Sequence, residues 1–414
     1  MKTEILAMKA KEASHILSHV TTEKKNSALM ILERLISDRQ DYLFSENRKD
    51  IEKAEREGLP KSMIDRLRID DKVIREMQAS IRDVFVLPDP VGEILKVWKR
   101  PNELLVGRMR IPIGVILIIY ESRPNVTIEA FSLCLKSGNC VILKGGSEAF
   151  HSNLALFGLI IESLEKSGIT ADAAQFIETN DRTYLYELLK MDDYVDLVIP
   201  RGGEALIRSV VEKSSIPVLK HYKGVCHTYV DEHARLDLAY KISLNAKVQK
   251  PATCNAMETL LVHEAVADKF LPEMAKLLKN EGVVIRGCTK TLKILKGIDE
   301  AVEQDWYEEY LGLTLSIKIV DDMNEAVSHI RKYGSSHTDA IITANYDNAW
   351  RFLREVNSSL VLINASTRLN DGYQLGLGAE MGISTTKLHA FGPMGLEELT
   401  ITKFIAFGEG QLRE

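Results

Sequence analysis

Beyond residue 111 the chain alternates short apolar runs with segments of helical periodicity, and this alternation restricts the fold more than any other feature. The apolar runs fall at 115–119, 141–143, 174–177, 195–199, 218–219 and 227–230, with helical patterns near 128–136, 153–166, 184–189 and 204–212. Strands that alternate with helices form βαβ units, and βαβ units build a parallel sheet. Right-handed crossovers then gather the carboxyl ends of the strands, and with them the ligand crevice, on one side. The fold class is therefore α/β. The second half restarts the pattern: a helix at 234–248, the loop Lys250-Pro251-Ala252-Thr253-Cys254-Asn255, a strand at 258–262 and a helix at 265–279. Further runs at 313–320 and 340–343 flank a helix at 323–332. A strand at 360–363, a glycine-rich stretch and a last strand at 402–407 complete it.

Two regions stand apart from the alternation. The first ninety residues read mostly as helices, with Ala28, Leu29, Ile31, Leu32 and Leu35 at helical spacing and a charged stretch at 40–57 that reads as a solvated face. Pro88 and Pro90 close this region. The segments 93–99 and 103–110, joined by Arg100-Pro101-Asn102, then predict a hairpin.

Composition narrows the function classes. The 414 residues are 45% hydrophobic and 27% charged, with a formal net charge of −6. That length implies two or three domains, and that charge speaks against nucleic acid or an anionic membrane surface as the main partner. The first residues mix Lys and Glu with apolar residues and carry no signal-peptide pattern. The longest apolar run, 111–120, is about half a membrane span. A cytoplasmic, reducing setting is expected. The five cysteines, Cys134, Cys140, Cys226, Cys254 and Cys288, are too few and too irregular for a disulfide framework.

Cys254 is the most suggestive position, because its loop lies between a helix and a strand among small residues, where a thiol can be exposed as a thiolate. The alternative is a small packing residue, which is how Cys134 and Cys140 read. The turn Leu143-Lys144-Gly145-Gly146-Ser147-Glu148-Ala149 follows a strand and precedes a helix, and so offers backbone N–H groups and a cation to a nucleotide. Ile199-Pro200-Arg201-Gly202-Gly203-Glu204 repeats this logic. Each is also readable as a tight turn alone. Gly376, Gly378 and Gly382 imitate a dinucleotide fingerprint, but the third glycine is displaced and no βαβ unit surrounds it. The histidines show no metal-binding spacing, so no metal site is expected.

Several longer motifs carry a resemblance: Gly107-Arg108-Met109-Arg110, Tyr120-Glu121-Ser122-Arg123-Pro124-Asn125-Val126, the Lys144 turn, Pro251-Ala252-Thr253-Cys254-Asn255-Ala256, Ala365-Ser366-Thr367-Arg368, Lys387-Leu388-His389-Ala390 and Gly392-Pro393-Met394-Gly395-Leu396-Glu397. In this order they resemble the aldehyde dehydrogenase superfamily almost end to end, and more closely its branch that reduces L-glutamyl 5-phosphate in proline biosynthesis. The resemblance implies an NADP-binding Rossmann-type domain (1–92 and 111–231), an α/β catalytic domain (232–395), and a small β oligomerisation element (93–110 and 396–414). It also implies a homo-oligomer, dimer or tetramer, with substrate channelled from glutamate 5-kinase. Cys254 becomes the nucleophile, attacking the acyl phosphate to give a thioester that is reduced with NADPH. Ser122 or Asn125 is the side-chain candidate for the oxyanion; the alternative is that both only shape their loop. Lys144, Gly145, Ser147, Glu148, Gly202, Gly203 and Glu309 are cofactor candidates. Glu121, Arg123, Ser366, Thr367 and Arg368 are substrate candidates, with the two arginines readable as structural ion-pair residues instead.

Two departures matter. The glutamate that activates water in oxidising members falls near His221, where no carboxylate stands; this favours acyl-phosphate chemistry over a non-phosphorylating dehydrogenase. The branch usually reads His-Ala-Arg-Gly-Pro-Met-Gly, and here Phe391 replaces the arginine. That exchange keeps a catalytically silent member of the fold among the alternatives.

Overall fold

The computed structural model describes residues 2–179 and 181–413. Contacts divide the chain into two compact units. The first runs up to Lys220 and adds Gly376–Gly382 and the stretch from Met394 onward; the second comprises His221–Leu375 and Ile383–Pro393.

The first unit opens with five helices: α1 (Lys2–Leu17), α2 (Thr22–Asp38), α3 (Gln40–Arg56), α4 (Lys61–Leu67) and α5 (Asp71–Val86). Asp70 caps α5 by accepting the N–H groups of Lys72 and Val73. A hairpin of β1 (Ile94–Lys99) and β2 (Leu105–Pro112) follows, as expected. Next come β3 (Val115–Tyr120), α6 (Asn125–Lys136), β4 (Cys140–Gly145), α7 (Phe150–Ser167), β5 (Ala174–Phe176), α8 (Arg182–Leu188), β6 (Leu197–Arg201) and α9 (Glu204–Lys213). The four strands β3 to β6 form a parallel sheet in the order β5-β4-β3-β6. Every residue of β3 is buried, which explains why its sequence has no polar face. Asp50 on α3 accepts the N–H groups of His151 and Ser152 and so caps α7, fixing the helix that follows the Lys144 turn.

The second unit contains β7 (Cys226–Val230), α10 (Leu236–Val248), β8 (Met257–His263), α11 (Glu264–Asn280), β9 (Val284–Gly287), α12 (Thr289–Ile294), β10 (Asp299–Glu300), β11 (Thr314–Val320), α13 (Met323–Tyr333), β12 (Thr338–Ile342), α14 (Tyr346–Glu355), β13 (Leu360–Ile363), β14 (Ile383–Ser384) and β15 (Gly392–Pro393). Strands β7 to β13 make one parallel sheet in the order β10-β9-β11-β8-β7-β12-β13. The last strand, β16 (Thr400–Phe407), returns to the first unit and pairs antiparallel with β2, giving the sheet β1-β2-β16.

Three expectations are corrected. The run 218–219 is not a strand: it makes a single bridge, Val198 to Val218, because Pro217 carries no N–H to extend a ladder. The run 226–230 pairs with β8 and β12, not with the first sheet, so the first unit ends at Lys220 and not at 231. Strand β9 was not anticipated, since Arg286 and Gly287 leave it only two apolar residues. Among the described residues no helix is long and apolar enough to cross a membrane.

Candidate active site

Strands β3, β4 and β6 end level with one another, Tyr120 pairing with Gly145 on one side and with Arg201 on the other. The loops leaving these ends meet where the strand order reverses, the place where open α/β sheets bind ligands. They line a cavity of about 320 Å³ that includes Glu121, Lys144, Gly145, Gly146, Ser147 and Glu148, together with Arg182 and Ser209. Lys144 donates to the Gly145 carbonyl at 2.8 Å, and burial lowers its pKa against the pull of Glu148.

The turn residues are tied to one another. Glu148 accepts the backbone N–H of Ser122 at 2.7 Å and its hydroxyl at 3.1 Å, which holds Ser122 at a φ of 53°. Asn125 donates to Glu129 at 2.8 Å. Burial raises the Glu129 pKa, while the charges of Arg201 and Arg123 oppose that rise. Both oxyanion candidates and Arg123 are thus placed in the first unit beside carboxylates. Glu121, expected to touch substrate, lines this cavity and accepts the Gly203 N–H at 3.0 Å. A Cβ on Gly202 would lie 2.3 Å from that carboxylate. The glycine expected to admit a pyrophosphate therefore makes room for Glu121.

In the second unit, the loop between α10 and β8 carries Cys254. Thr253 donates to the Lys250 carbonyl at 2.7 Å and to Asn255 at 3.1 Å, and the Asn255 amide donates to the Asn370 carbonyl at 2.9 Å. These bonds fix the loop and leave Cys254 half-buried, whereas Cys134, Cys140 and Cys226 are buried. The Cys226 thiol donates to the Cys254 carbonyl at 3.1 Å, and burial pushes its own pKa well up, so it stays a thiol. Gly224 packs on the same carbonyl: a Cβ there would stand 1.9 Å from the oxygen.

Ligand atoms of His221 and His337 and the Cys254 sulfur all lie within 4.8 Å of one another. His337 is fully buried, and that burial drives its pKa down to about 3, so the imidazole is neutral. Arg368 donates to Gln249 at 2.9 Å; burial lowers its pKa while the neighbouring Cys254 opposes the shift. Ser366 caps the turn by accepting the Arg368 N–H at 3.3 Å, and the Thr367 hydroxyl is buried. Both residues belong to the turn that carries Arg368.

Glu309 accepts the Gly224 N–H at 2.9 Å and so braces the chain beside the thiol loop. Its segment is anchored in turn. Glu258 accepts the Leu311 N–H at 3.2 Å and pairs with Lys247, both side chains fully buried. Burial raises the Glu258 pKa to about 7, with Lys247 opposing and Glu309 adding to the rise. Phe391, standing where a cation was expected, has the Lys387 ammonium 5.3 Å from its ring centroid. This contact is a cation–π arrangement within the same loop. Sequence reasoning missed His337, Lys247 and Glu258. Only Glu258 carried a signal, a lone acid inside the apolar strand Met257–His263. The linear spacing of His221, Cys254 and His337 has no metal signature, yet the fold clusters them.

Comparison with known proteins places this geometry. The aldehyde dehydrogenase family model matches residues 2–284. A gamma-glutamyl phosphate reductase of Thermodesulfovibrio yellowstonii is 53% identical over 99% of this chain and 98% of its own. One of Aquifex aeolicus is 52% identical over 98% of this chain and 95% of its own. The crystal structure of the gamma-glutamyl phosphate reductase of Thermotoga maritima superposes with a TM-score of 0.98 at 45% identity, covering all of both chains. The chain thus belongs to the aldehyde dehydrogenase family and groups within it with the gamma-glutamyl phosphate reductases.

Proposed function

We propose that this chain reduces L-glutamyl 5-phosphate to L-glutamate 5-semialdehyde with NADPH, releasing phosphate, as a step of proline biosynthesis. The observation that carries the reading is the fixed, half-buried Cys254 with a histidine where a water-activating carboxylate would stand. The cationic Arg368 and the imidazole of His221 beside the sulfur favour its thiolate. That thiolate attacks the acyl-phosphate carbon, the C–O bond to phosphate breaks, and a thioester forms on Cys254. The nucleotide cavity fits a dinucleotide: Lys144 and Arg182 supply cations for a ribose phosphate, and Glu148 an acceptor for a hydroxyl. When bound, the nicotinamide supplies the hydride. Cys254 then carries a thiohemiacetal, whose collapse gives the aldehyde and returns the thiol. Arg123 and Arg368 are the candidate holders of substrate carboxylate and phosphate, by forked hydrogen bonds. The protein works in the cytoplasm as a homo-oligomer joined through the β1-β2-β16 sheet.

The test runs the reaction backwards. Glutamate semialdehyde and NADP are incubated with and without phosphate. NADPH formation that requires phosphate supports the proposal. Equal rates without phosphate indicate a non-phosphorylating dehydrogenase, and no turnover in either indicates a silent member of the fold.

A further inference from the structure

We propose that His221, Cys254 and His337 form a metal site that takes one borderline-soft divalent cation, zinc by preference, as a reversible cap on the thiolate. Three donors of the types zinc favours already lie within 4.8 Å of one another, on segments far apart in sequence. Tetrahedral zinc with bonds of about 2.0–2.3 Å sets its ligands about 3.5 Å apart. Closing the present spacing needs side-chain rotation of about an ångström, with no change of fold.

A second observation concerns His337. His337 is fully buried, its Nδ1 lies 2.7 Å from the Thr338 hydroxyl, and its Nε2 is buried without a hydrogen-bond partner. One ring nitrogen anchored by a hydroxyl and the other left open is the arrangement of metal-ligating histidines. The neighbouring Cys226 is not a fourth ligand, since its thiol is buried and donates to the Cys254 carbonyl. Three protein ligands leave the fourth position to water or an anion, which marks an exchangeable site and not a structural one. Binding exchanges a proton for the metal: the Cys254 thiol and zinc(II) give a thiolate–zinc bond, and the proton leaves to solvent. Thiolate and imidazole donors select zinc, cobalt and cadmium over magnesium.

Metal binding is independent of the catalytic reading, whereas its effect on turnover rests on it. The test titrates cobalt(II) into the reduced protein, full chain, in buffer free of added thiol. The expected result is one equivalent bound, with a thiolate-to-cobalt charge-transfer band that stoichiometric zinc erases and excess magnesium does not. Cys254→Ala removes the band. His221→Ala weakens binding more than about tenfold, the cost even of an outer-shell change. His221 is half-buried, so this variant serves if His337→Ala fails to fold. No stoichiometric binding, a band that survives Cys254→Ala, or affinity unchanged in His221→Ala overturns the proposal. Zinc binding without inhibition upholds the site and overturns Cys254 as the nucleophile.

Discussion

Glu121 accepts the backbone N–H of Gly203 at 3.0 Å, so a carboxylate already stands at the turn that opens α9. A negative charge at that position competes with a pyrophosphate for the same amide and for the helix terminus. Glu121→Gln is expected to lower the KM for the dinucleotide about five-fold, the equivalent of about 1 kcal/mol for an exposed charge, and to leave kcat unchanged. Steady-state kinetics with varied NADPH checks this. A raised KM would show that the carboxylate holds the turn in its binding shape.

Gly224 and Cys254 are pressed together, and there is no space for a methyl group between them. Gly224→Ala should displace the thiol loop by about an ångström and reduce kcat about 100-fold, as misplacement of a reacting group does. Dinucleotide affinity, measured by fluorescence titration, should stay near its original value. Cys254→Ala in the same assay should abolish turnover while binding survives.

Lys247 and Glu258 are a buried pair, and removing one member strands the other. At pH 8, where Glu258 is ionised, Lys247→Met or Glu258→Gln should each destabilise the protein by about 3–5 kcal/mol, and the double change to Met at both positions should come close to the parent. The pH dependence follows from the Glu258 pKa of about 7, raised first by burial. Because the folded pKa lies above the unfolded one, this contribution to stability is full below the ordinary glutamate range and is lost as pH rises through 7. Denaturant unfolding between pH 4 and 8 should show that decline in the parent and not in the double variant.

The sheet β1-β2-β16 exposes Val97, Phe404 and Phe407, with Phe404 67% accessible. Apolar side chains on a sheet with open edges invite pairing with another copy. Phe404→Glu should shift sedimentation toward the monomer, with far-UV circular dichroism unchanged and the unfolding midpoint lowered only as far as the lost association lowers it.

The fold was legible because burial leaves a plain mark on parallel strands: β3, β4 and β13 lie within a residue or two of their expected limits. Position in a sheet was not legible. His227 to Val230 reads like any other apolar run, and only its partners assign it to the second sheet. In the site, Cys254 was marked by its loop and Lys144 by its turn. His337 was not, because a histidine following Ser336 has no local signature and gains meaning only from residues that arrive from elsewhere. Ser366 and Thr367 show a related limit, since a motif does not tell which of its side chains cap a turn and which face outward.

Strand β2 lies in the first third of the chain, and its partner β16 near the last residues described. During synthesis, β2 and its hairpin leave the ribosome long before β16 exists. One edge of the hairpin therefore stays bare through most of translation, with Gly107 to Ile111 able to pair with any passing strand. On β2 itself the exposed Arg108 sets a charge at that edge until β16 arrives. A ribosome stalled before residue 400 would hold a chain whose two parallel sheets can form while its hairpin remains adhesive. The strand that completes the sheet is therefore also the cap that ends this exposure.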